Sequence, residues 1–290
     1  MNPNEARVVL TGATGGIGRE TAAAFIGAGA SVLLVGRSPA QLSTLSRSIQ
    51  ATATGSAARI KWQAADLGET ARVDELVGVA TEWRCNVLVH AAGVPCFGAF
   101  ETADAVTMRR VIDINLLAPM RLTQALLPHL RAQVRAQVIC LGSALGRIGL
   151  PGFSIYSASK FGLRGFTEAL RRELAGSGVR IQYVGPRSTR TSFNSAAVEA
   201  YNASTGTAMD SPNRVAQALL RSLHDETAER FIGFPERLAV RINGAVPTLL
   251  DGSFDKHRRS VPPPPTQGTL PTERDQPGIR PSINSSGATR

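Results

Sequence analysis

The chain has 290 residues, 43% of them hydrophobic, and a formal net charge of +10 at pH 7. That length and apolar content suit one well-cored domain with appendages. The charge is almost all arginine, since the only lysines are Lys61, Lys160 and Lys256, and it is scattered. With no basic block interleaved with aromatics, nucleic acid is not an expected partner; anionic membranes or acidic substrates suit the charge better.

Cys85, Cys96 and Cys140 show neither metal-ligand nor redox-motif spacing and are expected as free thiols in a reducing compartment. The opening MNPNEARVVL lacks a charged start followed by a long apolar run, so no signal peptide is expected. No apolar run reaches the ~18 residues of a membrane span.

Strand-like and helix-like segments alternate from the start, which predicts a parallel sheet covered on both faces. Strands are expected at residues 8–10, 31–35, 60–65, 87–90, 137–141, 179–184 and 230–234. Helices are expected at 17–28, 39–53, 70–83, 103–130 with a kink at Pro119, and 156–175. A further helix runs to about His224, capped by Ser211-Pro212. The polar stretch from 187 to about 211 follows a strand end, where such folds bind ligands, and is read as a substrate lid.

Beyond residue 235, Leu238, Ile242, Val246 and Leu249 follow helical spacing, interrupted by Pro247 and followed by Lys256-His257-Arg258-Arg259. This stripe has two readings: packing on the domain or a second subunit, or contact with a membrane surface at 238–259. The Pro-, Ser- and Gly-rich stretch 260–290 cannot bury a core and is expected to be disordered. The chain is thus read as a domain over 1–235, an amphipathic extension over 236–259 and a tail.

Two stretches carry chemistry. Glycines 12, 16 and 18 lie between the first strand and helix, where they allow a tight turn and close backbone approach to a pyrophosphate. The second strand ends in Gly36-Arg37-Ser38, without the carboxylate that would meet a ribose hydroxyl; Arg37 instead suits the 2′-phosphate of NADP. In the second stretch Tyr156 and Lys160 are four apart on one helical face, and Ser143 precedes them. An ammonium beside a tyrosine favours the phenolate, and a serine hydroxyl can bond the oxygen that gains or loses the proton. Together they read as an acid/base apparatus that needs a separate source of reducing equivalents.

In this order and spacing the motifs resemble those of the classical short-chain dehydrogenase/reductase superfamily, over roughly residues 6–235. Thr11-Gly12-x-x-x-Gly16-Ile17-Gly18 matches its TGxxxGIG, and Tyr156-x-x-x-Lys160 its YxxxK. Ser143 stands at the family spacing, and Asn115 matches the asparagine of its catalytic tetrad. The resemblance implies a Rossmann-type, doubly wound, mainly parallel seven-stranded sheet with helices on both faces. It assigns catalysis to Asn115, Ser143, Tyr156 and Lys160, with Lys160 also holding the nicotinamide ribose and Asn115 positioning a water. Cofactor contacts are expected from Gly12, Thr14, Gly16, Ile17, Gly18, Arg37, Asp66, Ala92, Gly93, Tyr156, Lys160, Pro186 and Thr191.

There are two departures. The family's NNAG is His90-Ala91-Ala92-Gly93 here, and its PG is Pro186-Arg187, which puts an arginine near the expected nicotinamide carboxamide. His90 is read as a satisfied residue at a strand end.

The implied activity is NADPH-dependent hydride transfer between nicotinamide and a carbonyl or alcohol, with NADP(H) preferred over NAD(H) and no metal. A small-molecule substrate, a homo-oligomer and a cytoplasmic location go with it. Two alternatives stand beside it: a non-catalytic dinucleotide-binding redox sensor, and a reductase of lipid carbonyls peripheral to the inner face of a membrane.

Overall fold

The computed structural model describes residues 1–53, 59–234 and 236–263, the side chain of Leu249 excepted. The disorder expected of the tail falls, from residue 264 onward, outside the described residues.

Seven parallel strands form one sheet in the order β3-β2-β1-β4-β5-β6-β7. They are β1 (Arg7–Thr11), β2 (Ser31–Gly36), β3 (Ile60–Ala64), β4 (Val87–His90), β5 (Ala136–Leu141), β6 (Val179–Gly185) and β7 (Glu229–Phe231). Alternate residues feed two cores, as the two-residue period of a strand requires. Val8, Leu10, Val32, Leu34 and Ile139 enter one core. Val9, Leu33, Val35, Val138 and Cys140 enter the other.

Helices α1 (Gly16–Gly27), α2 (Pro39–Thr52) and α8 (Pro212–Asp225) cover the first face through Phe25, Leu42, Leu45 and Leu219. Helices α3 (Thr70–Glu82), α5 (Ala118–Arg131) and α6 (Ser154–Glu173) cover the second through Leu76, Leu122, Leu126 and Leu163. Each fully buried leucine is worth roughly 1.5–3 kcal/mol. A Ser-Pro pair opens α8 as predicted, and another opens α2: Ser211 Oγ accepts from the Arg214 N–H, and Ser38 Oγ from the Gln41 N–H.

The long helix expected over 103–130 is interrupted, and not by a kink at Pro119. It consists of α4 (Ala105–Ile112), a π turn at Asp113–Leu117, and α5, in whose first turn Pro119 lies. Proline has no N–H to offer the carbonyl four residues back, that of Asn115. The ladder is therefore broken where the π turn sits.

The strand order reverses between β1 and β4, and the cleft opens outside the carboxyl ends of these strands. The lid region is not simply a loop. It contains α7 (Ala196–Thr205), and its ends are drawn together by a parallel bridge between Thr189 and Asp210.

The segment after 235 folds as α9 (Glu236–Ala245), a 3-10 stretch at Pro247–Phe254, and α10 (Asp255–Arg259). The face that packs is not the predicted stripe. Val240 and Ala239 meet Ala144, Ile148 and Leu150, while Leu238 and Val246 stay exposed. Asn243 Nδ2 also donates to the Arg147 carbonyl at 2.7 Å. Among the described residues, no helix is long and apolar enough to cross a membrane.

Candidate active site

A cleft of about 1210 Å³ runs across the carboxyl edge of the sheet. That exceeds the roughly 300–1,000 Å³ of a pocket for one small ligand, leaving room for a dinucleotide and a second molecule. Of the catalytic and cofactor residues expected from the sequence, all line it except Asn115, which is fully buried.

The glycine loop connects β1 to α1. Gly12 has φ +66°, and a Cβ there would lie 2.6 Å from the Ala92 backbone nitrogen. A Cβ on Gly18 would lie 2.1 Å from the Gly12 carbonyl oxygen. Neither position accepts a side chain, so bare backbone faces the cleft ahead of the α1 N-terminus. Such a cradle fits a pyrophosphate. Arg37 is exposed at the end of β2, and the neighbouring Gly36 lies against Thr14 of the loop. Asp66 follows β3 and accepts the Gly68 N–H at 2.9 Å.

The HAAG segment is held by Thr11, whose hydroxyl oxygen accepts from the N–H groups of Ala91 (3.1 Å) and Ala92 (3.2 Å). His90 is a core residue. Its Nε2 lies 2.8 Å from Thr123 Oγ1, and burial pushes its pKa down to about 3, so the ring is neutral.

Asn115 projects from the π turn and joins two elements. Its Oδ1 accepts the Val94 N–H at 2.8 Å, and its Nδ2 donates to the Val94 carbonyl (3.0 Å) and Ser159 Oγ (3.1 Å). Both amide hydrogens are therefore used on protein. The side chain thus satisfies the Val94 backbone and the Ser159 hydroxyl.

Ser143, Tyr156 and Lys160 converge at the mouth of β5. The Lys160 Nζ donates to the Leu141 carbonyl at 3.3 Å and lies 5.7 Å from the centre of the Tyr156 ring. Lys160 is only 4% exposed, and burial lowers its pKa to about 8. Tyr156, whose ring is half-buried along the cleft, has its pKa raised by burial, opposed by the hydroxyl of Ser143. The lowering expected from the lysine is not what governs the phenol; desolvation does. Ser143 Oγ accepts the Leu145 N–H at 3.0 Å, so its own hydrogen is left for a partner in the cleft.

One residue that holds this site has no counterpart in the sequence reading. Tyr183 on β6 is 1% exposed, and its hydroxyl grips the Ser143 backbone twice. It donates to the Ser143 carbonyl (2.8 Å) and accepts the Ser143 N–H (3.0 Å). Gly142 and Gly146 make the space, since a Cβ on either would lie 2.0–2.1 Å from Tyr183 atoms. The available signal was a tyrosine inside a predicted strand, because a buried phenol needs a partner.

Arg187, expected near the nicotinamide carboxamide, lines the cleft with its guanidinium held by two carboxylates. It pairs with Asp210 at 2.9 Å and Glu236 at 3.3 Å, tying the lid base to α9. Thr191 rests on the glycine loop, its Cγ2 2.5 Å from where a Cβ on Gly16 would be.

Known proteins agree with this picture. Residues 6–202 match the family model for short chain dehydrogenase. Dehydrogenase/reductase SDR family member 7B of Xenopus tropicalis is 30% identical over 257 residues, covering 84% of this chain and 83% of that protein. Ketoacyl reductase HetN of Nostoc sp. is 31% identical over 236 residues, covering 77% and 76% respectively. A solved short-chain dehydrogenase from Sphingobium yanoikuyae, in complex with NADPH, has a TM-score of 0.71 at 25% identity over 84% of this chain and 95% of that one. With its seven-stranded parallel sheet, glycine loop and Ser143–Tyr156–Lys160 cluster, this chain belongs to the short-chain dehydrogenase/reductase family of oxidoreductases.

Proposed function

We propose that the protein is an NADPH-dependent reductase that converts a ketone or aldehyde to the alcohol. The observation that carries this reading is a single cleft with Ser143, Tyr156 and Lys160 at one end and the glycine loop and Arg37 at the other. The names of two relatives, a ketoacyl reductase and an NADPH complex, lend it support.

The bound nicotinamide supplies the hydride that reaches the carbonyl carbon. Gly12, Gly16 and Gly18 would hold the pyrophosphate, Arg37 the 2′-phosphate, and Lys160 the nicotinamide ribose. Ser143 donates its free hydrogen to the carbonyl oxygen and orients it. As that oxygen gains the electron pair of the C=O bond, Tyr156 gives it a proton. The phenol is protonated at neutral pH; burial raises its pKa and so makes it a weaker donor, which the hydroxyl of Ser143 opposes. The phenolate left behind is stabilised by the Lys160 ammonium. A water at the Asn115 main-chain carbonyl, which Pro119 leaves without an N–H from position 119, links Lys160 to solvent for reprotonation.

The test is NADPH oxidation at 340 nm over a panel of ketones and aldehydes. Tyr156→Phe should lose turnover while still binding NADPH, and Arg37→Asp should shift preference toward NADH. Unchanged turnover in the first, or an unchanged cofactor ratio in the second, sinks the corresponding role.

A second reading, contact with an anionic membrane, is favoured by exposed Phe234, Leu238 and Val246 in a segment that also exposes Arg237, Arg241, Arg258 and Arg259. Co-sedimentation with anionic vesicles that is lost in L238E/V246E would support it; equal pelleting of both proteins would remove it.

A further inference from the structure

We propose, resting on the reductase reading, that the substrate is a bulky, uncharged apolar ketone held in an aromatic chamber whose outer wall is the C-terminal segment 236–259. A continuous series of rings leads away from Tyr156. Its ring centre lies 6.1 Å from that of Phe193 and 6.5 Å from that of Phe153. Phe153 continues to Phe97 at 4.7 Å and to Tyr201 of the lid helix α7 at 5.5 Å. Tyr201 reaches His257 of α10 at 5.5 Å, and His257 meets Phe254 at 5.8 Å. These separations are those of stabilising aromatic pairs.

The wall is fastened to the lid. The Tyr201 hydroxyl and His257 Nδ1 are 2.7 Å apart, which joins α10 to α7. Arg187 joins α9 to the lid base through Glu236 and Asp210. Leu250 and Phe254 line the cleft from the intervening 3-10 stretch.

Charge narrows the ligand further. On this side of the reacting centre the charged lining residues are Arg187 and Glu236, and they are paired with each other. Asp113 belongs to the other end: Ile114, the next residue, reaches 3.6 Å from the Cβ position of Gly68, beside Asp66, and Arg109 and Arg110 are exposed on α4 one turn before it. A carboxylate or phosphate on the substrate's far end would thus leave water without a free cation to receive it, which is costly. Apolar bulk is stabilised by burial against the rings.

The test uses the full chain saturated with NADPH and two probes that share one ketone, 2-acetylnaphthalene and 6-acetyl-2-naphthoic acid. Binding is read by calorimetry and turnover by NADPH oxidation. The uncharged ketone should bind at least about tenfold tighter than the acid. Phe254→Ala should weaken the ketone about fivefold or more with NADPH affinity retained. Leu250→Lys, which puts a cation in the wall, should shift the ratio toward the acid by about tenfold. Equal or tighter binding of the acid by the wild type, no binding of either probe, or both variants behaving as wild type overturns the chamber and leaves the reductase standing. A wild-type protein that binds no NADPH overturns the reductase reading itself.

Discussion

Replacing Lys160 with methionine should make the cofactor-free protein more stable while removing its activity. The ammonium is 4% exposed, and burial brings its pKa from 10.5 to about 8. A gap of about 2.5 pH units, at about 1.4 kcal/mol per unit, means the folded state carries about 3 kcal/mol of strain from holding this charge at neutral pH. Methionine has a similar length and no charge, so it relieves that strain. It also loses the 3.3 Å bond to the Leu141 carbonyl, worth about 1 kcal/mol. The net gain expected at pH 7 is about 2 kcal/mol.

The sign with pH follows from proton counts. Between about 8 and 10.5 the unfolded lysine binds a proton that the folded one has released, so wild-type stability rises with pH there. By pH 10 about three quarters of the wild-type strain is gone, and the advantage of the variant should vanish or reverse. Urea unfolding of both proteins at pH 7 and pH 10, without NADP(H), measures this. Cys85, whose pKa burial raises to about 12, titrates in both proteins and cancels in the difference; Cys140, raised by burial to about 11 and held down by the Lys160 charge, is replaced by serine in both. A Lys160→Met protein that is less stable at pH 7, or whose difference from wild type does not change with pH, would refute the reasoning.

The same lysine sets a pH limit on catalysis. For reduction, kcat/KM should be level up to about 8 and then fall about tenfold per pH unit as the ammonium is lost, and Lys160→Arg should move that break upward in whatever activity it retains. Tyr183→Phe keeps the ring but drops both bonds to Ser143; kcat should fall about tenfold with NADPH affinity unchanged. In a Ser143→Ala background the same change should cost nothing more, whereas a general structural role would cost equally in both. Gly18→Ala should weaken NADPH binding at least tenfold and destabilise by about 1–3 kcal/mol, because its Cβ meets backbone at 2.1 Å. Gly78→Ala on α3, where nothing lies within 4 Å, should instead stabilise by about 0.5–1 kcal/mol, and thermal melts of the two separate site-specific crowding from the substitution itself.

The sheet was legible because buried parallel strands read as short apolar runs, and the glycine loop because backbone approach leaves a compositional mark at Gly12 and Gly18. Helix starts were legible where a side chain caps them, as at Ser38 and Ser211. What could not be read depends on contacts between distant segments. Pro119 signalled a disturbance, but the π turn that absorbs it is centred on Asn115, whose partners Val94 and Ser159 come from elsewhere. Arg187 looked like an intrusion on the cofactor until Asp210 and Glu236, 23 and 49 residues away, were seen to hold it. The stripe at Leu238 and Val246 follows helical period, yet α9 buries Val240, because the surface it meets is built by Ala144 and Ile148. The tyrosine's pKa needed its burial, which spacing alone does not contain.

The grip of Tyr183 on Ser143 ties three positions together. Phenylalanine at 183 would keep the ring carbons that bar a Cβ on Gly142, and Gly146 also faces the Lys160 carbonyl at 2.8 Å; with alanine at either glycine, the ring has nowhere to stand. In descent Gly142 should therefore change only where position 183 has lost its aromatic ring, while Gly146 stays bare against the Lys160 carbonyl. For protein engineering, the Ser143 loop is portable only as a trio: grafted without its tyrosine, it arrives with a hole beneath the serine.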